Sequence, residues 1–324
     1  MRARRDRHQA ALLAAAARMG IEAEDLAPTW GVDDVIYRAD GREALVGKGR
    51  IFPWMRTNSE FICDHKHVCK AFLRALGVRV PPGILLDDLD DPEQRAAVAA
   101  QAARGPQVLK PADAAHGDGV HVGLSGEAEI AAAWQAERGR YEAFVLEDRV
   151  PGHDLRVQVV GGRLVAACVR EPAAVTGDGA RTLGALIEAR RAEMAAQNPQ
   201  NKLVIDEDSR ALLARQGLGL DDVPEAGRSV RLKSVNNLAV GGRAVDVTDR
   251  LHPRWATWVE RASAELGMRA LALDAMTPDP GLDPVDHAHV LEINARADWL
   301  HHTFSERRTH DIPGLLLRDL LRLG

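Results

Sequence analysis

A chain of 324 residues with 46% hydrophobic and 27% charged side chains has the composition of an ordinary globular protein, enough for about two domains. Its formal charge of −5, with no long run of Lys and Arg, argues against nucleic-acid partners and against an anionic membrane surface. Three cysteines (Cys63, Cys69 and Cys168), none in a C-x-x-C spacing, argue against a disulfide scaffold or a structural zinc site and point to a reducing cytosol.

The N-terminus imitates a signal sequence, with Arg2, Arg4 and Arg5 ahead of an apolar stretch over 10–17. Arg18 interrupts that stretch, and Glu22, Glu24 and Asp25 follow where a cleavage site would lie, so an ordinary helix over 7–19 ending at Gly20 is expected. No segment reaches the roughly 20 apolar residues of a membrane span. A strand over 34–38 follows. An amphipathic helix over 64–76 ends at Gly77, and Cys63 and Cys69 read as packing residues on or near it. Further strands are expected over 84–86, 107–110, 141–150, 155–160 and 164–169, with turns at Pro151-Gly152 and Gly161-Gly162. Helices are expected over 92–103, 182–194 and 253–266, and a Leu-rich one from Pro313. The stretch from Asn198 onward is polar and aperiodic. Strands over 270–275 and 289–293 end in acidic residues. The elements mix without strict βαβ alternation, which makes the class α+β. The lone histidines His8 and His310 are expected at the surface.

Several stretches carry chemistry. Lys110 leaves a short strand and enters a loop, Pro111 to Val120, that contains Gly117 and Gly119. Glycines let backbone N–H groups approach phosphate oxygens, and lysine supplies charge. The order is not that of a Walker A loop, and alone the pattern is better read as a Gly-rich hairpin. Near the C-terminus, Asp274 ends one strand, and Glu292 and Asn294 stand two apart on another, hence on one face. Hard oxygen ligands of this kind suit Mg²⁺; a polar strand edge is the plain alternative. The stretch from Glu147 to Arg156 sets two acids and an arginine about a turn. Arg170 precedes a Gly-bearing loop, and Asn237 precedes Gly241-Gly242.

In order and spacing these stretches resemble the ATP-grasp ligases, in the branch of cyanophycin synthetase and the ligase module of bifunctional glutathione synthetase. The resemblance runs from about Asn58 to the C-terminus. It is carried by Lys66 and Lys70 ahead of Gly77-Val78-Arg79-Val80-Pro81, and by Lys110-Pro111 with His116 to Val120. It continues through Glu147 to Val157, Arg170 to Gly179 and Asn237 to Pro253, and ends on Asp274, Glu292 and Asn294. It implies an ATP-grasp fold of two α+β subdomains: a short N-terminal region (1–59), a central lid subdomain (60–145) and a C-terminal subdomain with the metal site (146–324).

The resemblance also implies roles. Lys110 and one of Lys66 and Lys70 would contact ATP phosphates, beneath a loop that includes His116, Gly117 and Gly119. Glu147, Asp148 and Val150 would form the hinge at adenine, mostly through backbone, and Asp154 would hold the ribose. Arg156 and Arg170 would face the transferred phosphoryl group. Asp274, Glu292 and Asn294 would bind Mg²⁺, with Mn²⁺ as a substitute. The expected reaction joins a carboxylate to an amine through an acyl phosphate. A phosphotransferase and a nucleotide-binding pseudoenzyme are the alternatives. Amino acids or small peptides would be the substrates, and homodimers occur in this fold class. The chain departs from the family at Lys233, at Ala239-Val240, and after Asn294, where Ala295-Arg296-Ala297-Asp298 replaces a proline turn. These departures lie toward the second substrate, so Arg296 and His302 join Asn237, Gly241 and Gly242 as expected substrate residues.

Overall fold

The computed structural model describes residues 5–114, 117–197, 202–233, 236 and 238–323. Helix α1 (Arg7–Met19) begins at Asp6, whose carboxylate accepts the His8 N–H, and ends at Gly20 in the left-handed conformation. It packs on an antiparallel sheet of β1 (Glu22–Asp25), β2 (Asp34–Ala39) and β3 (Arg42–Gly47), with the short helix α2 (Ala27–Trp30) between the first two strands. Asp40 and Gly41 both take positive φ, as the two-residue turn joining β2 to β3 requires.

The helix expected over 64–76 is α4 (Lys66–Ala75), and a further helix, α3 (Thr57–Asp64), precedes it across a break at an extended His65. At the break the Lys66 N–H leaves the helical ladder and donates to the Ala112 carbonyl at 2.8 Å. A four-stranded antiparallel sheet follows, in the order β4 (Gly83–Leu86), β7 (Phe144–Asp148), β5 (Gln107–Pro111), β6 (His121–Leu124). Its apolar face buries Leu86, Leu109, Phe144 and Leu146 against α5 (Pro92–Ala102) and α6 (Gly126–Glu137).

The second large sheet has the order β12 (Arg243–Asp246), β9 (Arg163–Glu171), β8 (His153–Val160), β13 (Leu271–Thr277), β14 (His289–Asn294), with every neighbour antiparallel. Alternation along β8 sends Leu155, Val157 and Val159 into a core with Trp255 and Val259 of α9 (Arg254–Leu266) and Cys69 and Leu73 of α4. Residues 63–80 therefore pack with this sheet rather than with the four-stranded one. On the other side lies a core shared by α1, the N-terminal sheet and α11 (Ile312–Leu321). Between β9 and β12 the chain builds a small unit of β10 (Ala174–Thr176), β11 (Ser229–Arg231), α7 (Leu183–Gln197) and α8 (Glu207–Arg215), with its own core. A last short helix, α10 (Pro284–His287), leads into β14.

Two expectations are corrected. Pro151-Gly152 is not a hairpin turn: β7 and β8 belong to different sheets, and this segment carries the chain from one to the other. His8 is not at the surface, being only 2% exposed, and the His310 ring is 7% exposed against Asp246, at 2.7 Å. Gly161-Gly162 does form the expected turn, with positive φ at both residues, between the paired ends Val160 and Arg163. No helix among the described residues is long and apolar enough to cross a membrane.

The three cysteines are buried and free. Burial pushes the Cys69 thiol up to about 11 and the Cys168 thiol to about 12, and raises Cys63 further. A thiol-counting reagent at about pH 8 is expected to find no reactive cysteine in the folded chain and three after denaturation. One or more fast-reacting thiols in the native protein would contradict this burial.

Candidate functional site

Sheet register builds the site. Asp274 on β13 lies directly opposite Glu292 on β14 and opposite Arg156 on β8, while Asp154 on β8 lies opposite Arg170 on β9. Residues two apart share a face, so Asn294 joins Glu292 and Asp154 joins Arg156. Arg156 binds Asp274 as a fork, with Nε to Oδ1 at 2.8 Å and Nη2 to Oδ2 at 2.7 Å. Arg170 grips Asp154 at 2.6 Å and reaches Asp274 at 3.2 Å. Asn294 Nδ2 donates to Asp274 at 3.1 Å and to Glu292 Oε1 at 3.3 Å. Burial alone would raise the Asp274 carboxyl; Arg156 and Arg170 overcome it and hold the group well below the usual carboxylate range.

The four-stranded sheet brings the lysines. Its inner face carries Lys110 on β5 and Glu147 on β7, the latter only 2% exposed. Lys110 Nζ is 2.7 Å from Glu147 Oε1, and Lys70 Nζ, from α4, is 2.7 Å from Oε2. The Lys70 contact is an ion pair outside hydrogen-bond alignment. Burial and the neighbouring Lys110 charge push Lys70 down to about 8. Burial also depresses Lys110, but Glu147 and Glu292 more than compensate and leave it raised. Lys66 is lowered by burial, with Glu292 opposing, and its ammonium donates to the Ala114 carbonyl. Helix α4 links the two clusters: Cys69 Sγ accepts from the Ile293 N–H of β14 at 3.3 Å while Lys70, one residue on, meets Glu147, and the Glu292 charge acts on both Lys66 and Lys110.

Of the other expected residues, Gly117 and Gly119 lie in the loop after β5 with φ of +78° and +67°. A Cβ on Gly119 would meet Pro111 and Tyr141 within 3 Å, so only glycine fits there without displacement. His116 and Asn237 lie outside the described residues. Val150 is partly buried in the crossover between the sheets. Asp148 points away from Glu147, to Arg104 at 2.8 Å and Gln101 at 2.7 Å. Asp154 also accepts from Asn236 at 3.3 Å. Gly241 and Gly242 are buried, and a Cβ on Gly241 would strike Leu203 and Ala173. Arg296 does not join the cluster: its guanidinium lies half exposed on Asp64 at 2.8 Å, with Glu60 at 3.8 Å. His302 is fully buried, and its two ring nitrogens have no hydrogen-bond partner among the described residues.

Two features escaped the sequence reading. Glu147 carries its weight through its side chain, as the shared counter-ion of two lysines, rather than through backbone alone. His301 touches Arg156, with Nδ1 3.4 Å from Nη1. The sequence signal for the second was the run of Asp298, His301 and His302 where the family pattern stops.

The chain is 34% identical over 250 residues to cyanophycin synthetase from Trichormus variabilis, an alignment covering 75% of this chain and 27% of that protein. It is 27% identical over 278 residues to the glutathione biosynthesis bifunctional protein GshAB of Mannheimia succiniciproducens, covering 81% of this chain and 36% of the relative. It thus spans about a quarter to a third of the length of these relatives. No family model matches the chain. Its fold is that of a bifunctional glutathione synthetase from Pasteurella multocida, with a TM-score of 0.73 at 23% identity over 97% of this chain and 43% of the other. With a third of its aligned residues identical to a cyanophycin synthetase, and the fold of a bifunctional glutathione synthetase along nearly its whole length, the chain belongs to the ATP-grasp ligase family.

Proposed function

We propose that this chain is an ATP-dependent carboxylate–amine ligase acting on an amino acid or small peptide through an acyl phosphate, with release of ADP and phosphate. The observation that carries this reading is that helix α4 bridges the lysines to the cluster of Arg156, Arg170, Asp274, Glu292 and Asn294, setting Lys70 against Glu147 beside Lys110 and Cys69 against β14. Cyanophycin synthetase and the glutathione synthetase relatives are named for products built by such bonds, which supports the reaction class.

Phosphoryl transfer asks a protein mainly for positioning and charge. Lys110 and Lys66 supply positive charge toward the phosphates, with Glu147 keeping Lys110 and Lys70 from repelling each other. Arg156 and Arg170 stand where charge develops on the transferred group, and the Asp154 carboxylate beside them suits ribose hydroxyls. The loop after β5 keeps water from the activated carboxylate. Two carboxylates, each within 3.3 Å of the amide of Asn294, form with it a hard-oxygen set that fits Mg²⁺, which commonly binds one or two protein carboxylates and completes its shell with phosphates and water. Asp274, Glu292 and Asn294 would hold it, and it would supply charge neutralisation at the phosphates. Mn²⁺ suits the same oxygen set.

The test is a screen of amino-acid pairs with ATP and Mg²⁺, scored by ADP release and by mass. An amide product with free phosphate is the expected result. A phosphorylated product would make the chain a phosphotransferase, and tight ATP binding with no product from any pair would leave only a nucleotide-binding role.

A further inference from the structure

The segment after Asn294 builds a network that no part of the proposed reaction uses. Its 3-10 turn (Trp299–Thr303) packs against β9 and β12, and Asp298 caps it by accepting the Leu300 N–H at 3.2 Å. Asp298 Oδ1 faces His8 Nε2 of α1 at 2.9 Å, and Oδ2 faces Arg7 and, at 3.4 Å, His301 Nε2. His8 Nδ1 in turn faces Asp6 at 2.7 Å. At the far end, His301 Nδ1 meets Arg156 Nη1 at 3.4 Å. A guanidinium only donates, so Nδ1 must accept, and the ring proton of neutral His301 sits on Nε2, toward Asp298. Burial, reinforced by Arg156 and Arg170, depresses the His301 imidazolium against the pull of Asp298, in keeping with that tautomer.

The Arg156 fork spends Nε and Nη2 on Asp274, but Asp274 is shared with Arg170 and Asn294. The remaining nitrogen, Nη1, is the one His301 holds. We propose that Asp298 and His301 are positioning residues that aim the Arg156 guanidinium at the terminal phosphoryl group of the nucleotide, and that helix α1 fixes them through His8. The inference rests on the nucleotide reading of the cleft but not on the identity of the acceptor. Under it the N-terminal helix is part of the site's support, although the sequence motifs shared with the ligases begin only near Asn58.

The experiment titrates the full chain with AMP-PNP and with ADP, each with Mg²⁺. Arg156 would touch only the terminal phosphoryl group, so His301→Leu is expected to weaken AMP-PNP about tenfold and leave ADP unchanged. His301→Gln, whose amide can accept from Nη1 and donate to Asp298, is expected to restore the AMP-PNP to ADP ratio. Asp298→Asn and His8→Leu are expected to lower that ratio too, and they carry the test if His301→Leu does not fold. A His301→Leu chain that loses both nucleotides equally, or loses only thermal stability, would show that the network merely pins the helix and would overturn the proposal. An unsubstituted chain that binds neither nucleotide would overturn the site reading and this inference with it. Failure of the ligase screen alone leaves these titrations intact, because they need no acceptor.

Discussion

Glu292→Ala is expected to lower turnover by roughly 1,000-fold or more while leaving the far-UV spectrum and the unfolding midpoint nearly unchanged. Glu292 sits on the outermost strand of the five-stranded sheet, partly buried, and its side-chain hydrogen bond among the described residues is a long one, 3.3 Å from Asn294. Asp274, by contrast, is already taken by two arginines and Asn294. Glu292 is therefore the carboxylate with most capacity left for a cation, and its charge also acts on Lys66 and Lys110. Removing it leaves phosphate charge uncompensated in a partly dry cleft and costs the fold little. The check is ADP release at saturating ATP over a range of Mg²⁺ concentrations. Activity near that of the unsubstituted chain at ordinary Mg²⁺ would remove Glu292 from the site.

Glu147→Ala is expected to act on stability instead, by about 3–5 kcal/mol. The carboxylate is 2% exposed and lies 2.7 Å from both Lys70 and Lys110, themselves buried. Taking it away leaves two ammonium groups facing each other out of water, an uncompensated charge of the kind proteins tolerate worst. Pairing the change with Lys70→Met is expected to recover part of the loss, since only one cation then remains unmatched. Urea unfolding at constant m-value measures both. A single-variant loss below about 1 kcal/mol would mean that water reaches the lysines and that Glu147 is not their counter-ion.

The parts of the site that the sequence made legible are those set by short-range rules. Glu292 and Asn294 share a face because strand periodicity is two, and Asp274 meets them because their strands pair. Gly20 and Gly161-Gly162 terminate and turn the chain as their residue types require. What the sequence hid depends on partners far away in the chain. The break at His65 arises because Lys66 donates to Ala112, which no local propensity encodes. Pro151-Gly152 has hairpin chemistry, yet its flanking strands find different sheets. Helix α8 stayed hidden in a polar stretch because it is short; its signal was Asp206, which caps it by accepting the Ser209 N–H. His8 looked like a surface residue until Asp298, 290 positions later, closed over it. Arg296 reads as a carboxylate ligand on residue type alone, and the carboxylate it meets in the folded chain is that of Asp64, 232 positions earlier.

The crossover at Pro151-Gly152 has a counterpart. The whole four-stranded sheet, residues 83–148, leaves the rest of the chain through 149–152 and joins it through 76–82, and its first and last strands pair at Gly83 and Glu147. Both connections thus emerge at one corner, like the two cords of a pendant. A unit hung in this way has its own apolar core and closes no long loop through the remainder of the protein. Such a cassette can open as a separate cooperative unit while the five-stranded sheet stays folded. Lys110 and Glu147 thereby belong to one unit, while Lys66, Lys70 and the carboxylates belong to the other, and the Lys70–Glu147 ion pair and the Lys66 to Ala112 hydrogen bond are the contacts that such an opening would break.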